Sequence, residues 1–241
     1  MNSVLIFAGG VGTRMKATNN TPKQFLKVDK KPIIIHTLEK FENCDEIDNI
    51  VVVCIKSWIK RLETYLEKFN IKKVSAIIPG GETGFESRLL GLQHLVDNSQ
   101  TPKDDIVILH DGVRPIIKNS LISSNINMTK KYGNCITVGR AMETISIVNY
   151  EGMIEKTIER SQCRYARAPQ TFYLQEIYDG YKMALEQDRE DLIDSASIYE
   201  FMGKNIYTVE GPEENIKITT PLDFYMFKGI VQAQKSGKFD I

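Results

Sequence analysis

Short apolar runs alternate along the first half of the chain with longer stretches in which apolar residues recur at spacings of three and four. The runs are rich in valine and isoleucine, which predicts strands buried on both faces, at Val4–Ala8, Ile50–Cys54, Val74–Ile78, Ile106–Leu109 and Ile136–Gly139. The longer stretches predict helices at Ile33–Phe41, Ser57–Phe69, Glu86–Val96 and Leu121–Tyr132. This alternation is typical of an α/β fold with a doubly wound, mostly parallel sheet.

The alternation ends after about residue 141. Thr144–Val148 and Met153–Ile158 have period two and are joined through Asn149–Gly152, which predicts a β-hairpin. Such a hairpin projects from a doubly wound sheet as an arm, and half of its surface must be buried elsewhere. We therefore expect the arm to pack against a second subunit.

The last third of the chain predicts further helices at Leu174–Glu186, at Ser195–Met202 and from Pro221 onwards. Strands are predicted at Asn205–Val209 and Ile216–Ile218. At 241 residues, with no internal repeat, the chain is predicted to form a single domain over 1–241, with the arm at about 143–160.

Composition narrows the possible partners. Hydrophobic residues make up 42% of the chain and charged residues 26%, and the formal net charge is zero, so no field suited to nucleic acid or a membrane is expected. The four cysteines show no C-x-x-C spacing, which argues against a zinc site or a disulfide framework. The apolar runs are too short to span a bilayer, and Met1-Asn2-Ser3 lacks the basic start of a signal peptide. A reducing cytoplasm is the expected location.

The first strand runs into Gly9-Gly10-Val11-Gly12-Thr13-Arg14. Glycines let the backbone approach a ligand closely, and successive N–H groups in such a turn form a concavity for anions. Met15 stands where a dinucleotide-binding loop needs a third glycine, and no window of the chain matches a P-loop. Arg14 can grip phosphate oxygens through two contacts, and Lys23 adds a point charge. The loop is predicted to bind a polyphosphate.

Three further patches follow predicted strands. Gly80–Gly84 could close over a base or ribose, with Ser87 as a donor, and Asp111 is a carboxylate of the kind that holds Mg²⁺ beside substrate phosphates. Period two sends Lys217 away from the isoleucines on either side of it, into a polar site. The structural alternatives are a strand-to-helix turn for the glycines and a local salt bridge from Asp111 to Arg114.

Together these patches resemble the cytidylyltransferases that make CDP-activated polyols, acting on ribitol 5-phosphate or 2-C-methyl-D-erythritol 4-phosphate. The motifs that carry the resemblance occur in the family's order between about residues 3 and 230: Ala8-Gly9-Gly10-Val11-Gly12-Thr13-Arg14-Met15, Pro22-Lys23-Gln24-Phe25-Leu26, His110-Asp111-x-x-Arg114-Pro115, Glu159-Arg160-Ser161, Pro169-Gln170-x-Phe172 and Asn215-Ile216-Lys217-Ile218-Thr219.

The resemblance implies a Rossmann-like sheet of the nucleotidyltransferase type. It implies transfer of CMP from CTP to a polyol phosphate, with Mg²⁺, in a homodimer formed through the arm. Ala8-Gly9-Gly10 is more similar to the ribitol-phosphate branch, and Glu159-Arg160-Ser161 to the isoprenoid branch. We favour D-ribitol 5-phosphate, a wall or capsule precursor, as the acceptor, with 2-C-methyl-D-erythritol 4-phosphate or another capsule polyol phosphate as the alternative.

The resemblance also implies roles for individual residues. The catalytic cations are Arg14, Lys23 and Lys217. The residues expected around CTP are Ala8, Gly9, Gly10, Gly12, Thr13, Gly81, Glu82, Ser87, Asp111 and Gly112, with Asp111 also binding Mg²⁺. The polyol phosphate is expected to contact Arg114, Thr144 and Arg160, of which the last two reach into the neighbouring subunit's site.

The chain departs from the family's motifs at several positions. Gly84 occupies an arginine position, with Arg88 displaced onto the helix, and Arg167 stands in the run before Pro169-Gln170. Ile193 replaces a threonine whose hydroxyl could meet the substrate, and a hydrocarbon cannot hydrogen-bond. Retained nucleotide motifs beside altered acceptor motifs suggest the same chemistry on a changed polyol.

Two other classes of protein share part of this pattern. A dinucleotide-dependent oxidoreductase has an acidic residue about 20 residues past the glycines, at the end of the second strand. Here that strand ends in Cys54-Ile55-Lys56, which disfavours this class. A catalytically inactive CTP-binding relative is suggested by Gly84 and Ile193, whereas the retained cations and Asp111 favour an enzyme.

Overall fold

A seven-stranded sheet forms the centre of the computed structural model, which describes residues 1–10, 21–192 and 194–237. The strands in these residues are β1 (Asn2–Ala8), β2 (Lys27–Val28), β3 (Lys31–Pro32), β4 (Asn49–Cys54), β5 (Val74–Pro79), β6 (Ile106–Asp111), β7 (Asn134–Arg140), β8 (Ile145–Val148), β9 (Ile154–Ile158), β10 (Arg164–Tyr173) and β11 (Thr208–Glu210). The α-helices are α1 (Ile33–Glu42), α2 (Ile59–Lys68), α3 (Gly84–Asp97), α4 (Asn119–Tyr132), α5 (Leu174–Glu186), α6 (Ser195–Phe201) and α7 (Pro221–Ser236).

The strand order in the central sheet is β11-β7-β10-β6-β1-β4-β5. Neighbouring strands are parallel except at β10, which runs antiparallel to both β6 and β7. The prediction of a mostly parallel α/β sheet is confirmed. Because parallel strands carry their carboxyl ends to one edge, the loops after β1, β4, β5 and β6 meet there.

Helices cover both faces of this sheet. Along β1, Val4 and Ile6 face a core formed with α1, α2 and α4, whereas Leu5 faces a second core formed with α3, α5 and α6. Successive side chains of a strand point to opposite faces, so a continuous apolar run supplies both cores. The prediction of a doubly wound sheet is therefore confirmed as well.

Strand β10 was not predicted. Its polar first half and Pro169 obscure the strand pattern, since proline cannot donate to a ladder and is tolerated mainly at edges and bulges. The structure places Pro169 at an irregularity in the pairing with β7, between Arg167 and Gln170. β10 therefore lies in the middle of the sheet, between β7 and β6, although its own sequence does not show a strand pattern.

The predicted strand at Ile216–Ile218 is wrong. The segment is not in a strand, and Ile218 donates one backbone hydrogen bond, at 2.8 Å, to the carbonyl of Val113. Ile218 is buried in a third apolar cluster, which Phe227 of α7 joins. The isoleucines on either side of Lys217 alternate with it because they pack on that cluster. Lys217 points away from them, towards Asp111, as the period-two argument expected.

Two helix starts matter for the site. Thr83 caps α3 by accepting a hydrogen bond from the N–H of Glu86. Thr220 and Asp223 form a reciprocal capping box at the start of α7, with Pro221 in the first turn. No helix within the described part of the chain has the length and apolar character needed to cross a bilayer.

The predicted hairpin is confirmed as β8 and β9, which pair with each other in a separate antiparallel sheet. Several large apolar side chains of this arm are exposed in the single chain: Ile147, Val148, Tyr150, Met153 and Ile154. The arm joins β7 at its start and β10 at its end.

Candidate active site

A cleft of about 500 Å³ opens at the carboxyl edge of the central sheet. It is bounded by the loops that follow β1, β4, β5 and β6 and by the segment that carries Lys217. The cleft brings together nine residues named from the sequence: Ala8, Gly9, Gly10, Lys23, Gly81, Glu82, Ser87, Asp111 and Lys217. Five separate stretches of sequence therefore meet in one cavity.

The loop after β1 is held by a buried glutamine. Gln24 Nε2 donates to the carbonyl of Ala8 at 2.6 Å and to that of Gly10 at 3.1 Å. Gln24 belongs to a short 3₁₀ turn, and its neighbour Lys23 lines the cleft. Gly12, Thr13, Arg14 and Ile193 lie outside the described residues, so their predicted roles stay predictions.

The loop after β5 folds back on the start of α3. Ser87 Oγ accepts a hydrogen bond from the N–H of Gly81 at 3.1 Å, and Glu86 Oε2 accepts one from the N–H of Glu82 at 2.7 Å. A Cβ on Gly81 would lie 2.3 Å from the Glu86 side chain, so glycine is needed for this close approach. A Cβ on Gly9 would lie 3.7 Å from Ser87 Oγ, so the two glycine loops lie side by side.

Asp111, at the end of β6, is surrounded by cations. Lys217 Nζ lies 2.6 Å from Oδ1, and Arg114 Nη2 lies 3.4 Å from Oδ2. Burial by itself raises the pKa of Asp111, but the charges of Lys217 and Arg114 outweigh burial and hold the pKa well below its usual range. The carboxylate is ionised at neutral pH. Asp111 therefore forms both the local salt bridge to Arg114 that was the structural alternative and an ion pair with Lys217.

His110 precedes Asp111 and has a structural role. Its Nε2 lies 3.0 Å from the carbonyl of Arg114. Burial lowers the pKa of His110 to about 4, so the ring is neutral at pH 7 and the carbonyl assigns the proton to Nε2. The hydrogen bond fixes the turn that carries Arg114.

A second pocket of about 230 Å³ adjoins the cleft. The two cavities share Phe7, Arg88, Asp111 and Lys217. The remaining wall comes from the end of β6 and the turn after it, from β10, and from the residues before and at the start of α6. It adds these polar side chains: Arg114, Arg167, Gln170, Asp194 and Ser195. Four cationic side chains and two aspartates line this pocket, so it favours an anionic, hydroxylated ligand.

Arg88 lies at the boundary between the two cavities and had no role in the predicted site. Its guanidinium lies 5.2 Å from the centre of the Phe7 ring, and Nη1 donates to the carbonyl of Gly84 at 3.1 Å. The available signal was spacing, because residues four apart share one face of a helix. The Arg88 side chain therefore reaches back to Gly84, the position at which the family's motif has arginine, and can supply a positive charge there.

Arg167 also lies in the second pocket. Its Nη1 donates to the carbonyls of Pro212 and Glu213, at 2.9 and 3.3 Å. A Cβ on Gly139 would lie 2.6 Å from its guanidinium carbon, so a glycine in β7 makes room for this side chain. Arg167 thereby joins β10 to the segment that leads to Lys217.

Four of the predicted residues lie apart from the cleft or are bound within the protein. Gly112 is buried and donates to the carbonyl of Phe7 at 2.9 Å, and it lines neither cavity. Arg114 lines the second pocket, but its Nη1 donates to the carbonyl of Asn215 at 2.7 Å. Thr144 and Arg160 are exposed at the base of the arm, outside both cavities. Their predicted contact with the acceptor stays a prediction.

Comparison with known proteins identifies the family. The family model described as "IspD: 2-C-methyl-D-erythritol 4-phosphate cytidylyltransferase" matches residues 2–233. The chain belongs to this family. The expectation of a CTP-dependent cytidylyltransferase with a Rossmann-like fold is therefore confirmed.

Similarity to individual family members extends over nearly the whole chain. A ribitol-5-phosphate cytidylyltransferase of Vibrio parahaemolyticus is 45% identical, over 98% of each chain. A 2-C-methyl-D-erythritol 4-phosphate cytidylyltransferase of Clostridium novyi is 35% identical, again over 98% of each. The crystal structure of 4-diphosphocytidyl-2C-methyl-D-erythritol synthase from Anaerococcus prevotii superposes with a TM-score of 0.81, at 26% identity over 96% of each chain.

Proposed function

We propose that this cytidylyltransferase transfers CMP from CTP to D-ribitol 5-phosphate and releases CDP-ribitol and pyrophosphate. The observation that carries the proposal is the pair of adjoining cavities with Asp111 and Lys217 on their common boundary. A reaction between two phosphates needs two binding sites that meet at one charged point. The greater identity to the ribitol-phosphate enzyme, 45% against 35%, supports the choice of acceptor.

In this proposal the larger cleft binds CTP and the smaller pocket binds the polyol phosphate. The glycine loop and Lys23 receive the triphosphate, and Gly81, Glu82 and Ser87 surround the nucleoside. An oxygen of the acceptor phosphate attacks the α-phosphorus in line, and pyrophosphate leaves. Such transfer depends on positioning and charge stabilisation, which Lys217 supplies at the boundary. A phosphate monoester is mostly ionised at neutral pH, so no protein base is required.

Mg²⁺ fits the residues at the boundary. Magnesium is usually held by one or two carboxylates together with substrate phosphates and water, and Asp111 offers an ionised carboxylate next to both cavities. Within the described residues no group of three or more histidine, cysteine or carboxylate side chains could enclose a metal by itself. Asp111 would therefore share the ion with the substrates, and the ion would supply positive charge for the phosphates.

Pyrophosphate release with CTP and Mg²⁺ tests the proposal. The acceptors are ribitol 5-phosphate, 2-C-methyl-D-erythritol 4-phosphate, glycerol 3-phosphate and several hexitol phosphates. We expect ribitol 5-phosphate to give the highest kcat/KM and CDP-ribitol as product. A higher kcat/KM with 2-C-methyl-D-erythritol 4-phosphate would replace the acceptor. CTP binding without release for any acceptor would favour the inactive CTP-binding relative.

The same proposal includes a homodimer formed through the arm. Exposed apolar side chains on β8 and β9, such as Ile147 and Ile154, need a partner surface, and a second subunit would place Thr144 and Arg160 at the neighbouring pocket. Light scattering should give a dimer mass for the wild type and a lower mass for Ile147→Ser/Ile154→Ser. Leu222→Ser, an equally apolar exposed site on α7, is the control and should remain dimeric. A wild-type monomer would exclude the dimer.

A further inference from the structure

We propose that Gln24 is a positioning residue that fixes the phosphate-binding loop relative to Lys23. Gln24 touches neither reacting atom in the proposed reaction. It connects two parts of the cleft that are separate in sequence, the loop after β1 and the turn that begins at Lys23. The inference rests on the proposed function only in taking the triphosphate of CTP as the ligand of this loop.

The geometry of the amide carries the inference. Gln24 is only 1% exposed, and both hydrogens of Nε2 are directed to loop carbonyls, those of Ala8 at 2.6 Å and Gly10 at 3.1 Å. The C=O and N–H of a trans peptide point in opposite directions. Holding the Ala8 carbonyl therefore also sets the direction of the Gly9 N–H. An anion-binding loop depends on the directions of its N–H groups.

The turn that carries Gln24 is itself fixed on the other side. Phe25 is buried and stacks on Trp58, with ring centres 4.5 Å apart, and Leu26 donates to the carbonyl of Lys23 at 3.1 Å. The backbone at Lys23 is thus anchored to the core by its neighbour. Gln24 extends that anchor to the carbonyls of Ala8 and Gly10, so these residues and Lys23 form one preorganised unit.

Glycines alone would not hold this arrangement, because they favour no single backbone conformation. Without the two hydrogen bonds, the loop must be ordered when CTP binds, and the carbonyls of Ala8 and Gly10 lose their donor. Small misplacements of a reacting group lower rates by about 100-fold. Loss of Gln24 should therefore weaken CTP binding and lower kcat, while the acceptor KM stays unchanged.

A buried amide elsewhere in the chain provides a matched control. Asn125 on α4 is fully buried, and its Nδ2 donates to the carbonyl of Leu121 at 2.9 Å and to Thr137 Oγ1 at 3.1 Å. It lines neither cavity. Gln24→Met and Asn125→Leu each replace two buried donors with an apolar side chain. If burial of a satisfied amide were all that mattered, the two variants would behave alike.

The experiment measures CTP binding by calorimetry in the absence of acceptor, together with thermal melting and steady-state kinetics. We expect Gln24→Met to raise the Kd for CTP about tenfold or more, with the acceptor KM within about twofold of wild type. Gln24→Glu should lose more than Gln24→Met, because a carboxylate of the same shape faces two carbonyl oxygens. Asn125→Leu should lower the melting temperature and leave the Kd for CTP unchanged.

Wild-type CTP affinity in folded Gln24→Met would overturn the inference, as would an equal loss of affinity in Asn125→Leu. Gln24→Asn, which keeps the amide but shortens its reach, gives the same comparison if Gln24→Met does not fold. The binding measurement uses no acceptor. If no polyol phosphate releases pyrophosphate while CTP still binds, the proposed function fails and the comparison of Gln24 with Asn125 remains decisive.

Discussion

The two cavities differ in what their walls are made of. The cleft proposed for the nucleotide contains glycine-rich backbone after β1 and β5, which hydrogen bonds from Gln24 and to Ser87 orient. The second pocket is built from long charged side chains, Arg88, Arg114 and Arg167, on three different elements. We therefore expect the first wall to recognise phosphates mainly through main-chain geometry and the second to recognise its ligand through side-chain identity.

This difference explains how one family can keep a reaction and change its acceptor. A side chain on Gly81 would displace Glu86, which accepts the hydrogen bond of the Glu82 N–H, whereas a pocket side chain can be exchanged without moving a strand. The departure from the family's motifs at Arg167 follows the second pattern, whereas Gly84 lies in the wall of the cleft. We therefore expect substitutions in the pocket to change acceptor use separately from CTP use.

The largest effect is expected where the two walls meet. Lys217→Met should lower kcat by at least ~100-fold, because it removes a positive charge beside the reacting phosphates and breaks the 2.6 Å ion pair with Asp111. Steady-state kinetics with both substrates measures this. Lys118→Met is the control, since Lys118 pairs with Glu214 of the neighbouring segment at 3.6 Å and lines neither cavity. A kcat within a few-fold of wild type would place the reaction elsewhere.

A smaller effect is expected from Arg160→Ala, which should lower kcat/KM for the polyol phosphate by about 10- to 100-fold by removing a charge-assisted contact, with CTP use unchanged. Complementation shows whether Arg160 acts in the neighbouring subunit. An equal mixture of Arg160→Ala and Lys217→Met chains, after subunit exchange, should recover about a quarter of wild-type activity. No recovery from the mixture would show that Arg160 serves its own subunit's site.

Arg167→Gln should have a moderate effect on the acceptor alone. We expect the KM for the polyol phosphate to rise about tenfold, because a cation in the second pocket is lost, with the KM for CTP unchanged. Arg140→Gln is the control, since Arg140 is exposed on the same pair of strands and bonds Glu210. A rise in the KM for CTP would remove the distinction between the two walls.

The smallest effect is expected at Asp223, at the start of α7, which follows the segment that carries Lys217. Asp223 caps α7, and although burial raises its pKa, hydrogen bonds from Thr219 and Thr220 outweigh burial and hold the pKa below its ordinary value of 3.8. Asp223→Asn should lower the free energy of unfolding at pH 7 by about 1 kcal/mol. The difference from wild type should shrink as pH falls through the pKa of folded Asp223, which lies below 3.8, because protonation then removes the carboxylate that accepts these hydrogen bonds. Denaturant unfolding at a series of pH values from 7 downwards measures it, and a difference that does not shrink at any pH below 3.8 would contradict the assignment.

The pattern of apolar, glycine and polar residues correctly predicted those elements whose structure is determined by residues close together in sequence. The apolar strands, the glycine loops and the hairpin follow from residue type and spacing within a few positions. Strand β10 could not be predicted this way, because Pro169 and the charged residues before it are accommodated by pairing with strands far away in sequence. The strand predicted around Lys217 was wrong for a related reason, since its isoleucines pack on a cluster that includes α7.

The candidate site divides in the same way. Asp111 and Lys217 could be named because they follow or flank apolar runs, and the structure brings them together. Gln24 and Arg88 act through approaches between separate elements, which spacing alone does not reveal. Arg88 left the weaker signal of a helical turn after Gly84. For Gln24 the sequence showed only a polar residue between Lys23 and Phe25, with nothing to indicate which atoms its amide would contact.

Strand β10 gives the family a way to change. It begins at exposed Arg164 beside the arm, passes Arg167 and Gln170 in the pocket wall and ends against the core at Phe172. The surface proposed to join subunits and a wall of the proposed acceptor pocket therefore lie in one uninterrupted stretch of the gene. Residues 141–173 therefore carry the arm proposed to join subunits and one wall of the proposed acceptor pocket, and they include none of the nucleotide loops, so a single exchange of this segment would change both surfaces at once.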